Sequence, residues 1–438
     1  MKSFQTILLI VFGFIIVLAV LIFSGVVSIG RGGSVEKLVQ SPVTLWGTMS
    51  SQEFKRVNDI ATMAGDTFSI TYVEKDRNTL EAELINALAS DKGPDLLLAP
   101  QTLLIKQRDK FLPLSYTAIP ERLYRDSFAE VTEILLETDN TLALPLYTDP
   151  IVMYWNRDMF SRAGEIKPPV TWLEVQVLPS KLTQLDEKGN IKESAVALGG
   201  INNIAHFKEI LASQILQTGN EIISRSRDIT PAGTAIINRQ AILANDDGAE
   251  SALRYYVQFT DPALKKYSWN SAMANSLDEF INGRLAIYFG FVSELAVVKI
   301  RNPHLNFDIA EIPRIQIGGR RTTYADVYSL AVLKNSSSIE ASFAVAYKMA
   351  FGVSAGAMAT VNNLPPARRD LLAKPPADPL LAVPYSSAII ARTWDDPDSN
   401  ATRGIFADMI ESVTIGRSDL RSAVSNAETR IAGLLKKQ

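Results

Sequence analysis

Few side chains in this sequence could carry covalent or metal chemistry. The 438 residues include no cysteine, which removes disulfides, thiolate nucleophiles, thiolate zinc sites and lipid attachment through an N-terminal cysteine. Only two histidines occur, His206 and His304, far apart in the chain, so a histidine-rich metal site would need carboxylates to complete it. Carboxylates are abundant, and two of them ~5–10 Å apart can hydrolyse a glycoside. Sequence does not set such a distance, and the chain contains no P-loop, Gly-x-Gly-x-x-Gly fingerprint or His-Glu-x-x-His pair. The expectation is a protein that binds rather than transforms, with no catalytic residues, no cofactor and no metal.

Binding residues must be positioned by regular elements. Val43–Gly47 (VTLWG) is a short apolar run closed by glycine, which predicts a buried strand. Phe54, Val57, Ile60, Ala61 and Ala64 recur at helical spacing, and residues 68–73 alternate as a second strand. Asn78 with Glu81 predicts a capped helix start ahead of Leu80, Leu84, Ala87 and Leu88, and Gly93-Pro94 stops that helix. Asp95–Pro100 (DLLLAP) is apolar without alternation, as in a parallel strand covered on both faces. Further strands are expected at 142–147, 151–156, 195–199, 285–290, 307–312 and 328–334, with helices between them. Thr171 with Glu174 and Asp247 with Glu250 predict two more capping boxes. Strand alternating with helix is an α/β pattern.

Bulk properties narrow the partners. Hydrophobic residues at 47% and charged residues at 21% match ordinary globular usage, so most of the chain folds in water. Lys and Arg total 44 against 47 Asp and Glu, a net charge of -3, and no basic run interleaves with aromatics. Nucleic acid is not an expected partner. The apolar run from Ile7 to Phe23, extended toward Ile29, matches the ~20 residues that span a bilayer. A signal peptide has a shorter apolar region of ~7–15 residues and a small-x-small cleavage site, so residues 1–30 read as an uncleaved membrane helix, with cleavage the competing reading. Residues 31–41, beginning with the Gly-rich 30–34, read as a flexible tether. Lys2 on one side and Arg31 and Lys37 on the other leave orientation open.

Several segments resemble the family 1 extracellular solute-binding proteins of ABC importers, which include sugar- and maltose-binding proteins. They are VTLWG (43–47), LASDKGPDLLLAP (88–100), ALPLYTDPIVMYWNRDMFSRAGEIKPPVTWLEV (143–175), FINGRLAIYFGFVSEL (280–295), FDIAEIPR (307–314) and YSLAVLKNSSSIEASFAVAYKMAF (328–351). Trp155, Arg157, Arg284, Leu285 and Ile287 depart from the family's commoner residues. The resemblance implies a type II periplasmic-binding-protein fold: two discontinuous α/β lobes closing on a solute, 42–147 plus 327–352 and 148–326 plus 353–438. Crossovers would lie near Pro145–Asp149, Ala325–Tyr328 and Gly352–Gly356. The implied function is capture of a small-molecule solute, a sugar or oligosaccharide, for ABC permease subunits. The implied location is the extracytoplasmic face of the cell membrane, with the chain held there by its N-terminal helix. An anchored receptor serving a signalling partner would use the same binding chemistry.

In open α/β sheets ligands sit beyond the carboxyl ends of strands. That rule selects Trp46 and Thr48 after the first strand and Gln101 after the third. The resemblance adds Tyr147 and Asp149 at the first crossover, Asn202 and Asn203 after Gly199-Gly200, Phe291 after a later strand, and Trp394 near the C-terminus. An aromatic ring can pack on the apolar face of a sugar while polar groups take its hydroxyls. Asp149 reads equally as a turn residue before Pro150, and Asn202 and Asn203 read equally as helix caps. His206 reads as a satisfied helix-surface histidine and His304 as a loop residue.

Overall fold

A computed structural model of the chain describes residues 39–230, 235–374, 376 and 378–436. The predicted membrane helix of residues 1–30 and most of the 31–41 tether lie outside the described residues. Among the described residues no single helix is long and apolar enough to cross a membrane.

One continuous sheet path runs β2 (Ile70–Glu74), β1 (Val43–Gly47), β3 (Leu96–Pro100), β13 (Thr323–Val332), β6 (Leu144–Asn156), β11 (Leu285–Phe291), β8 (Ile191–Val196), β7 (Gln184–Leu185). Strand β12 (Phe307–Ala310) also pairs with β6, and β14 (Ala391–Arg392) with β13. Two short strands, β4 (Leu114–Ser115) and β5 (Asn140–Thr141), pair apart from this sheet. So do β9 (Ile223–Ile229) and β10 (Ala235–Ala241), which form a hairpin.

The long strands β6 and β13 join the two halves because each changes partners along its length. Residues 328–332 of β13 pair with β3, whereas Thr323 and Tyr324 pair with β14. Residues 144–150 of β6 pair with β13, and 151–155 with β11. Every residue of β6, β11 and β13 is buried, and β11 reads as an unbroken apolar run for that reason. The two strands expected at 142–147 and 151–156 are therefore one. Pro150 lies where the strand passes from one partner to the next. The strand expected at 328–334 begins at Thr323, because Asp326, which broke the apolar run, is accommodated by side-chain hydrogen bonds.

Eight helices matter for the site: α1 (Ser51–Met63), α2 (Leu80–Ala89), α3 (Gln101–Lys106), α4 (Trp172–Val177), α5 (Phe207–Thr218), α6 (Gly248–Val257), α7 (Ser399–Thr414) and α8 (Leu420–Leu435). The Thr171–Glu174 capping box forms at α4, and a second forms at α1 between Ser50 and Glu53. The other two expected boxes do not. Thr79 occupies the N-cap of α2 without a side-chain bond, while Glu81 turns to the Lys106 ammonium at 2.7 Å. At α6 the Asp247 side chain makes no cap bond and Glu250 faces Arg421 instead. In both cases an ion pair takes the carboxylate that the box required.

Candidate functional site

Where the strand ends of the two halves meet, a cleft of about 420 Å³ opens, within the range of ~300–1,000 Å³ typical of small-molecule sites. The first half contributes Thr48 beyond β1, Arg77 and Glu81 around the start of α2, and Pro100 and Lys106 at the two ends of α3. The second contributes His206 and Glu209 at the start of α5, Phe291 at the end of β11, and Ser399, Asn400 and Arg403 in the first turns of α7. Tyr324 and Asp326 of β13 form the floor.

The charges of this wall are largely spent on each other. Lys106 contacts both Glu81 at 2.7 Å and Asp398 at 3.1 Å, and Arg77 lies 3.7 Å from Asp326. The His206 ring is 2.8 Å from Glu294, whose other oxygen accepts the Tyr288 hydroxyl at 2.7 Å. Burial pushes the His206 pKa down, but the Glu294 carboxylate overcomes it and the net shift is upward. A side chain at Gly290 would collide with Tyr288 and Glu294, so glycine at this strand end lets the pair form. His206 itself adopts a left-handed backbone (φ 57°) at the N-cap of α5, so it is a turn residue and not the helix-surface histidine expected. Its ring sits edge-on to Phe291 at 4.8 Å.

Of the residues singled out from the sequence, Thr48 and Phe291 line the cleft. Gln101 does not, because it is fully buried and its amide is consumed. Its Oε1 accepts the Val327 amide at 2.6 Å, and its Nε2 donates to Asp326 at 3.1 Å and Thr393 at 3.2 Å. Asn203 is likewise spent on a loop: it accepts from the Trp269 indole at 2.9 Å and donates to the carbonyls of Asn270 and Met273. Asn202 is exposed but does not line the cleft. Trp46 lies behind the wall under the Lys75 ammonium, 3.8 Å from its ring, and Trp394 is 3% exposed beside Phe406. Tyr147 stacks on Tyr328 at 4.8 Å. These rings are core residues, as large aromatics usually are.

Asp149 sits at mid-strand, opposite Asp326 in the β6–β13 register and 2% exposed. One oxygen accepts the Ser293 amide at 3.0 Å. Burial is the main cause that pushes its pKa up to about 7; the Ser293 bonds oppose it and Asp326 and Glu294 add to it. Asp326 is shifted upward too, by burial, against the pull of Arg77. Asp149 is neither a turn residue nor a cleft residue; it is a carboxyl held inside the strand crossing.

Sequence reasoning missed Arg77, Glu81, Lys106, Glu209, Asp326 and the 398–403 turn. Two of these left a signal. Asp326 is the one charge within an otherwise apolar strand, and Asp398 is an N-cap whose carboxylate accepts the Asn400 and Ala401 amides. The β9–β10 hairpin was missed as well. Arg225 of β9 donates to the carbonyls of Ile134 and Leu136, and Arg239 of β10 pairs with Asp395 at 2.6 Å, so the hairpin is strapped to residues 134–136 and to Asp395. Arg108 joins the same Asp395 at 2.9 Å.

A family model described as bacterial extracellular solute-binding protein matches residues 55–383. A putative binding protein of Brucella abortus (strain 2308) is 24% identical over 207 residues, 47% of this chain and 45% of that one. The chain thus spans about half the length of the curated relatives it matches. Among solved structures, the cyclic alpha-maltosyl-1,6-maltose binding protein from Arthrobacter globiformis superposes with a TM-score of 0.71 at 16% identity, covering 91% of this chain and 100% of that one. The sugar-binding protein MalE from Xanthomonas citri gives 0.69 at 19% identity, covering 91% and 98%.

Proposed function

From the membership of this chain in the family of bacterial extracellular solute-binding proteins, we propose that it captures a carbohydrate-like solute in the cleft between its halves and delivers it to the permease of an ABC importer. The observation that carries the carbohydrate class is the pairing of the cleft charges. Lys106 pairs with Glu81 and Asp398, and Arg77 with Asp326; with Arg403 and Glu209 the lining sets four carboxylates against three fixed cations, so the wall offers many donors and acceptors and little net charge. Such a surface suits a neutral ligand dense in hydroxyls, and Phe291 at the end of β11 supplies a ring for its apolar face. The names of the two similar structures point the same way.

The mechanism follows from the geometry. A solute touching both Thr48 or Arg77 and Phe291 or Asn400 gains its full set of contacts only when the halves are close, so binding shifts the population toward closure. Residues 1–30 would hold the domain on the extracytoplasmic face of the membrane, near its permease. Small-angle scattering and thermal shift across sugars, oligosaccharides, polyols and peptides test the reading. A ligand at 100 times its Kd stabilises by about 2.7 kcal/mol. At least one carbohydrate should raise Tm and shrink the radius of gyration, and Phe291→Leu should weaken both effects. Response to peptides alone would reject the carbohydrate assignment. For the anchor, the full chain should fractionate with membranes carrying an intact N-terminus; recovery in the medium without residues 1–30 would reject it.

A further inference from the structure

Away from the cleft, the C-terminal part of α5 forms the base of a second cavity, of about 250 Å³. Its walls include Trp172, Leu173, Ala252, Tyr255 and Ile315, and none of its lining residues is charged. At the base lies Gln214, 4% exposed, with neither its Oε1 nor its Nε2 hydrogen-bonded to any described residue. A buried amide is ordinarily satisfied on both sides. Its neighbour Gln217 shows the contrast: Gln217 accepts the Trp172 indole N–H at 2.7 Å and donates to the carbonyls of Pro313 and Thr322, both at 2.9 Å. The Tyr255 hydroxyl is likewise committed, donating to the Trp172 carbonyl at 2.7 Å. Trp172 and Tyr255 therefore present rings to the cavity, and the Gln214 amide, covered at its base, holds an unused acceptor and an unused donor.

We propose that this cavity is a binding site for a polypeptide segment that inserts one apolar side chain and pairs a peptide group with Gln214. Three features select that chemistry. A carboxamide's C=O and N–H match the N–H and C=O of a peptide group. The volume is below the ~300–1,000 Å³ of sites for drug-sized ligands, and it fits a single side chain with its peptide unit. The apolar surface also continues past the cavity: Leu173 is 69% exposed and Ile315 47%. The strand-like bonds Arg314 N to Val170 O and Trp172 N to Arg314 O place exposed Val170 beside Ile315. An apolar rim around a polar point contact is the layout of a protein-docking patch. A saccharide, with many hydroxyls, would find besides Gln214 only the side chains of Gln176, Thr218 and Ser251 among apolar walls.

The test uses the full chain with N-acetyl-L-leucinamide and the capped tripeptide N-acetyl-Gly-Leu-Gly-amide as probes, and N-acetylglycinamide as the control without an apolar side chain. Saturation-transfer NMR at millimolar concentrations should detect both leucine probes and not the control. Gln214→Leu and Leu173→Asp should each weaken the leucine probes about tenfold or more. Gln214→Leu should keep or raise Tm, since it removes two unpaired buried atoms. Solute binding in the cleft should be unchanged in both variants. The inference is overturned if the leucine probes give no signal, if Gln214→Leu leaves their binding intact, if that variant loses Tm, or if a cleft solute displaces them. A failure to find any cleft solute leaves this test readable, because no arm of it needs one except the displacement.

Discussion

Replacing Asp149 with asparagine should stabilise this protein, by an amount that pH controls. The side chain is 2% exposed, accepts the Ser293 amide, and has a pKa raised from 3.8 to about 7. A group whose folded pKa lies above its unfolded value stabilises fully below the unfolded value and loses that contribution as pH rises through the folded one. Below about pH 3.8 the carboxyl is protonated in both states, so the variant gains nothing. Between about 4 and 7 the unfolded chain ionises while the folded one resists, and the cost to the wild type grows by about 1.4 kcal/mol per pH unit. Above pH 7 it levels off, at most about 4 kcal/mol. Asparagine keeps an acceptor for Ser293 and carries no charge, so Asp149→Asn should show that difference as a gain. Urea unfolding of both proteins at pH 5, 6, 7 and 8 measures it. A gain that is flat across these pH values, or a loss at pH 8, would refute the assignment of a buried, reluctantly ionised carboxyl at the strand crossing.

Two further perturbations are specific. His206→Asn removes the pair with Glu294 while tolerating the left-handed backbone. The His206 pKa is raised, so its contribution is complete below pH 6.5 and fades as pH climbs through the raised value; the Tm deficit of the variant should be largest at acid pH and shrink in alkaline buffer. Asp395→Asn strips the buried carboxylate shared by Arg108, Arg225 and Arg239. Burial pushes the Asp395 pKa up, but the three guanidiniums prevail and hold it below the ordinary carboxylate value, so the wild-type contribution is present above pH 3.8 and lost on further acidification. The expected cost is about 3–5 kcal/mol. Hydrogen exchange should show it as faster exchange in residues 223–229 and 235–241, and unchanged protection there would contradict the strap.

The sheet was largely legible because its strands are covered on both faces. Runs such as LLLAP and LAIYFGF carry no alternation, and burial on two sides leaves no other reading for short runs between glycine and proline. What stayed hidden depended on the third dimension. Glu81 and Lys106 are neighbours only because the fold brings the start of α2 to the end of α3. The choice between capping a helix and making that ion pair was therefore decided by partners distant in sequence. The cleft followed the same logic. Strand-end reasoning found Thr48 but also chose Trp46, and the resemblance found Phe291 but also chose Tyr147 and Trp394. Those rings are drawn into the core by their area, and the sequence holds no sign of which ring stays at the surface. Gln101 was placed correctly beyond its strand, but its amide was claimed by Val327, 226 residues away.

That separation has a consequence for how the chain is made. Strand β3 is finished early, yet its neighbour β13 is synthesised last among the strands of the first half. At ~5–20 residues per second, the interval between Gln101 and Val327 leaving the ribosome is roughly 10–45 s, long against the microseconds to milliseconds in which local contacts form. Throughout it the apolar β3 has one open edge and no inner partner, and the residues of β6, also waiting for β13, share that condition. The topology that lets β6 and β13 each serve two sets of partners therefore leaves β3 and β6 as an incomplete sheet until β13 emerges, the exposed-edge state in which chains aggregate.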